Sequence, residues 1–238
     1  MLKYKTIFEN EDFLIINKPA GLLTHGAPHI KEKSLVDQLL KEHPEISGVG
    51  EEPERPGVMH RLDKLASGLL VIAKTQEMFD HLKSQFKKRT VSKIYTALVY
   101  GKIEKDEDEI TFPIKRSTKG NKMAALPNTC RGKTQEDGRT AITEFEIIKR
   151  LINYTLLKVK IKTGRTHQIR VHMAAYGHPI AGDDLYGTKK TKEKNHKLNL
   201  ERIFLTATEL SFMDLKNEKH KFKINLPLDF KNLLKIVK

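Results

Sequence analysis

"PGVMHRLDKLASGLLVIAKT", residues 56–75, joins a polar, doubly basic opening to an apolar run. His60 and Arg61 come first, Asp63 follows, and the small residues Ala66, Ser67 and Gly68 lead into "LLVIA" at 69–73. A short, uniformly apolar segment bounded by turn signals predicts a strand buried on both faces, here 68–74. Asp63 therefore stands at the entrance to the core, between Arg61 and Lys64. Its residue type admits two readings, an ion-paired surface turn or a carboxylate placed for chemistry.

Outward from that stretch the chain alternates between strand and helix signals. "FLIINKP" (13–19) reads as a strand stopped by Pro19. "SLVDQLLKEH" (34–43) reads as a helix, with Ser34 as N-cap, Leu35, Val36, Leu39 and Leu40 on one face, and Pro44 as its stop. Pro53, Pro56, Gly48, Gly50 and Gly57 mark 45–59 as a loop. Thr75 caps a second helix to about Arg89, whose Met78, Phe79, Leu82 and Phe86 form a core-facing stripe. "KIYTALVYG" (93–101) is rich in strand formers. "TLLKVKIK" (155–162) alternates Leu157, Val159 and Ile161 with Lys158, Lys160 and Lys162, which predicts a half-buried strand with a basic outer face.

A helix begins after Gly164 and stops at Gly177, and "RIFLTATELSF" and "KFKINLP" add two late strands. No repeat or linker divides the chain, and strands outnumber helices without βαβ alternation. The expected class is α+β, a mostly antiparallel central sheet flanked by helices and loops. One catalytic domain is expected over residues 1–238, with a basic loop or hairpin insertion near 115–139.

Composition narrows the partners. Among 238 residues, 44 Lys+Arg against 30 Asp+Glu leave a formal charge of +14, which favours a polyanion such as nucleic acid. The single cysteine, Cys130, precludes an internal disulfide or a multi-cysteine metal site. "LLVIA" is the longest apolar run, too short to span a bilayer, and the N-terminus lacks a signal-peptide core. A cytoplasmic protein without membrane association is expected.

Polar chemistry concentrates in three segments: "HRLD" (60–63); Lys93 and Tyr95 in "KIYTALVYG"; and "TGRTHQIRVH" (163–172), with two arginines, two histidines, a glutamine and two threonines in ten residues. His167 and His172 lack zincin spacing, and no Walker loop, dinucleotide fingerprint or Gly-x-Ser-x-Gly occurs. Asp183 and Asp184 have no further acidic neighbours to complete a metal site, so none is expected.

Together and in this order, "HRLDKLASGLLVIAK", "KIYTALVYG" and "TGRTHQIRVHMAAYGHPIAGDDLYG" resemble the signature segments of the RluA family of RNA pseudouridine synthases. "NEDFLIINKPAGLLTH" resembles that family's opening motif, and the likeness runs from about residue 5 to about residue 226. The resemblance implies a pseudouridine synthase-like fold and an isomerase that converts uridine in ribosomal or transfer RNA to pseudouridine. It makes Asp63 the nucleophile, Tyr95 the tyrosine lining the active site, and Arg170 the arginine paired with the catalytic carboxylate. His60, Arg61, Lys93, Arg165, Thr166 and His167 are the expected RNA contacts. Because the reaction is an isomerisation, no cofactor or small-molecule partner is expected, and the chain is expected to act as a monomer.

Ala66 departs from the family's usual threonine. The likeness begins near residue 5, which leaves no room ahead of it for the small N-terminal RNA-binding domain that many members carry. The competing reading is a non-catalytic RNA-binding protein on the same scaffold.

Overall fold

Each apolar run forms an element whose buried face matches its period. The computed structural model describes residues 2–26, 32–118, 122–126 and 138–237. These divide into two compact units, Met1–Lys93 with Ala207–Asn225, and Ile94–Thr206 with Leu226–Lys238. In chain order the strands are β1 (Lys5–Glu9), β2 (Phe13–Lys18), β3 (Ser67–Ala73), β4 (Ser92–Tyr100), β5 (Glu107–Ile110) and β6 (Ile114–Arg116). They continue with β7 (Met123–Ala125), β8 (Thr143–Arg150), β9 (Tyr154–Ile161), β10 (Leu205–Met213) and β11 (Lys219–Lys223). The α-helices are α1 (Leu35–Glu42), α2 (Gln76–Lys88), α3 (Gln168–Ala175), α4 (Lys189–Lys197) and α5 (Leu228–Ile236). The class is α+β with mostly antiparallel pairing.

In the first unit the strand order is β1-β2-β3-β10-β11. The β1–β2, β2–β3 and β10–β11 pairs are antiparallel. Every residue of β3 is buried, as its sequence predicts. Phe13, Ile15, Leu69, Val71, Leu210 and Phe212 join Met78, Phe79 and Leu82 of α2 in one apolar cluster, each such side chain contributing about 1.5–3 kcal/mol by burial. Both helix ends follow their caps. Ser34 and Asp37 form a reciprocal capping box at α1, and Thr75 accepts from the Met78 N–H at α2. Gly68 (φ +122°) lies so close to β10 that a Cβ there would be 2.4 Å from the Ala207 backbone nitrogen and oxygen. Only glycine fits this step.

In the second unit the order is β4-β9-β8-β5, all antiparallel, with β6 and β7 a separate hairpin. Leu98, Tyr100, Tyr154, Phe204, Phe230 and Leu233 form its main core. On β9, Leu157, Val159 and Ile161 are buried while Lys158 and Lys160 are exposed, as the alternation requires. The β6–β7 hairpin lies in the basic segment near 115–139, of which 119–121 and 127–137, including Cys130, lie outside the described residues.

Candidate active-site residues

In the first unit Asp63 opens a turn just before β3, and its carbonyl accepts from the Ala66 N–H at 3.1 Å. The cations flanking it in sequence turn elsewhere. Lys64 pairs with Glu32 at 2.6 Å, and an Arg61 nitrogen lies 3.3 Å from His25 Nε2. Both neighbouring cations thus have partners other than Asp63.

The turn is held instead by Lys18, which is completely buried. Its ammonium donates to the carbonyls of Pro19 (2.9 Å), Leu22 (2.8 Å) and Ala66 (2.8 Å). Thr24 adds a bond from its hydroxyl to the Leu62 carbonyl at 2.9 Å. Residues 19–24 and 62–66 are thus tied by side chains of the opening motif. A buried ammonium is tolerated because its protons all find oxygen. Sequence reasoning missed Lys18 as a functional residue; the available signal was a lysine ending the apolar run "FLIIN".

His60 serves β3 directly, its Nε2 accepting from the Val71 N–H at 3.1 Å. Its ring lies 4.9 Å from that of Phe86, and burial, with a smaller contribution from the Lys93 charge, pushes its pKa down to about 3. It is a neutral ring at neutral pH. The Lys93 ammonium sits 5.0 Å from the other partner in this stack, the centroid of Phe86, and burial lowers its pKa to about 8.

In the second unit Tyr95 lies on β4 opposite Val159 of β9 and is 7% exposed. Arg170 projects from α3 and is buried. Asp183 receives it in a fork, with Nε to Oδ2 at 2.7 Å and an NH group to Oδ1 at 3.0 Å. Tyr186 stacks on the guanidinium at 5.1 Å, and its hydroxyl lies 2.8 Å from His167 Nδ1. The backbone N–H groups of Leu185 and Tyr186 also donate to Asp183, at 3.0 and 3.1 Å. Asp183 and Tyr186 are thus further members of the Arg170 cluster, carried by "GDDLYG"; from sequence Asp183 was weighed only as a metal ligand and Tyr186 was not singled out.

Gln168 organises the turn into α3. Its Oε1 accepts from the Thr163 hydroxyl and the Arg165 N–H, and its Nε2 donates to Ile142 and Thr143. His167 takes a left-handed backbone (φ 54°) to start the helix. Arg165 donates from Nε to the Thr140 carbonyl, and Thr166 is exposed. His172 is fully buried between Thr143 and the Phe112 carbonyl, where burial lowers its pKa.

Two groups of potential metal ligands occur among the described residues, Glu9–His43–Glu45 and Asp214–Glu218–His220. Both are internal ion-pair clusters: Glu9 pairs with Lys74 and Asp214 with His220, at 2.7 and 2.9 Å.

Residues 12–175 match the family model described as RNA pseudouridylate synthase. The chain belongs to that family. Its RluA-like branch is shown by relatives such as the ribosomal large subunit pseudouridine synthase D of Zymomonas mobilis, 35% identical over 97% of this chain and 72% of that protein. An uncharacterized RNA pseudouridine synthase of Aquifex aeolicus is 40% identical over 95% of this chain and 71% of its own length. The chain spans only 59% and 60% of two further relatives, from Bacillus subtilis and Synechocystis. The solved structure of human RNA pseudouridylate synthase domain containing 4 shares the fold, with TM-score 0.76 and 22% identity over 98% of this chain and 92% of that one. No helix among the described residues is long and apolar enough to cross a membrane.

Proposed function

We propose that this chain isomerises uridine to pseudouridine in structured RNA, with large-subunit ribosomal RNA as the first substrate class and transfer RNA as the second. The observation that carries the reading is the family match over 12–175, which contains Asp63, Tyr95 and Arg170. Relatives named for the ribosomal large subunit favour ribosomal RNA.

In the reaction the uridine N1–C1′ bond breaks, the base turns, a C5–C1′ bond forms, and the C5 proton leaves while N1 gains one. Asp63 acts as the nucleophile. Arg170 keeps the reacting carboxylate ionised against desolvation, and Asp183 and Tyr186 fix that guanidinium's orientation. Tyr95 offers a ring face and a hydroxyl to a base drawn out of its stack. Arg61, Lys93, Arg165, Thr166 and His167 contact the RNA beside the flipped nucleotide. His60 supports the RNA-facing segment through β3, since its Nε2 is already committed to the Val71 N–H. The protein acts as a monomer in the cytoplasm.

Tritium release from RNA labelled at uracil C5 tests the proposal. Release from ribosomal RNA is expected, with less or none from transfer RNA. No release from either pool, with RNA binding intact, would favour the non-catalytic reading.

A further inference from the structure

Two lysine-rich surfaces of the second unit differ in how their charge is spent. On β9, Lys158 pairs with Glu146 at 3.0 Å and Lys160 with Glu144 at 3.8 Å, and just past its end Lys162 pairs with both Glu109 and Glu144. Three lysines meet three glutamates, and the stripe is neutral.

Helix α4, "KKTKEKNHK", carries five lysines against one glutamate, which leaves +4 with histidine neutral. Its lysines enter no ion pair among the described residues; Lys194 instead lies over the Tyr100 ring at 5.8 Å. Lys189, Lys190 and Lys197 are exposed and fall on the side of the helix away from Asn195, its buried residue. Nothing in the apolar core calls for this helix, because it presents no apolar stripe.

Asn195 is a polar key. Its Oδ1 accepts from the Tyr100 hydroxyl at 2.6 Å and from the Gly182 N–H at 2.9 Å, and its Nδ2 donates to Asp184 at 2.8 Å. Gly182 itself (φ +79°) packs a would-be Cβ position 1.8 Å from the Arg202 carbonyl, so the segment receiving the key is tightly fixed. Asp184 adjoins Asp183, the acceptor for Arg170. The helix is thereby locked to the Arg170 cluster through a short polar path while its outer face stays cationic.

We propose that α4 is an RNA-docking element that binds the phosphate backbone through Lys189, Lys190 and Lys197. This rests on the RNA-modifying reading above and adds to it a surface outside the three signature segments. Charge complementarity selects the occupant: a polyanion gains from releasing condensed counterions wherever lysines meet phosphates, whatever the sequence.

The test compares Lys189→Gln/Lys190→Gln/Lys197→Gln with Lys158→Gln/Lys160→Gln/Lys162→Gln in the full chain. Affinity for large-subunit ribosomal RNA is measured across a salt series, and tritium release by wild type is measured on the same RNA. The α4 triple variant should weaken binding at least about ten-fold at low salt and flatten the log–log salt slope by about 2. The β9 triple should change the slope by less than about 1. Wild-type release together with an unchanged slope in the α4 variant would overturn the docking surface alone. Absence of wild-type RNA binding would overturn both proposals. Circular dichroism and unfolding midpoints of both variants separate loss of docking from loss of fold.

Discussion

The Asp63 turn of the first unit and the Arg170 cluster of the second are stabilised by opposite means. At the turn, a buried ammonium from Lys18 bonds backbone carbonyls, and a neutral imidazole from His60 accepts from the β3 backbone. At Arg170, a buried guanidinium is held by the Asp183 carboxylate in a two-point fork. One arrangement fixes the path of the chain and the other fixes the direction of a side chain.

The contrast can be broken at either end. The largest loss of stability is expected from Asp183→Ala, which removes both acceptors of the fork and leaves a buried cation to reorganise. Destabilisation of about 4 kcal/mol is expected from denaturant unfolding. A loss below about 1 kcal/mol would mean the fork adds little.

Next comes the acid response of His60. Its folded pKa of about 3 lies below the unfolded value of 6.5, so the unfolded chain binds the extra proton first. Stability from this group is complete above pH 6.5 and falls as pH drops toward 3, with about 3 kcal/mol lost by about pH 4. His60→Gln, which retains an acceptor, should flatten that acid limb, and an unchanged limb would show that the ring does not stay neutral.

A smaller effect, about 2 kcal/mol, is expected for Lys18→Met. The methionine fills the apolar space but leaves carbonyls of residues 22 and 66 without their donor. Unfolding at two ionic strengths sharpens the comparison, because neither buried contact should respond strongly to salt.

The elements with strong periodicity were legible in the sequence. Ser34 and Thr75 start helices and Gly177 stops one where their residue types predict, and the Leu157–Val159–Ile161 alternation gives the buried side of β9. Charge was less legible, because sequence shows a lysine but not its partner. Lys158, Lys160 and Lys162 read as a basic face, yet β8 supplies glutamates opposite Lys158 and Lys160 by cross-strand register, and Glu109 of β5 pairs with Lys162. Helix α4 escaped notice because it has no apolar stripe to reveal it, only Asn195 turned inward. Lys18 escaped because a buried lysine is rare enough that its type argues for the surface. The two compact units were not legible, because Ala207–Asn225 returns to the first after a long excursion that no linker in the sequence marks.

The candidate site divides in the same way. Asp63, Tyr95 and Arg170 were found through ordered motifs, whereas Asp183 and Tyr186, which hold Arg170, were found only through geometry.

The central claim is that Asp63 is the nucleophile, and one measurement addresses it most directly. Asp63→Asn and wild type are compared for tritium release under single turnover from uracil-5-labelled ribosomal RNA, with affinity measured on the same RNA. The account predicts a turnover loss of at least about 10³-fold with binding within about three-fold of wild type. Release by Asp63→Asn at a rate near wild type would contradict it.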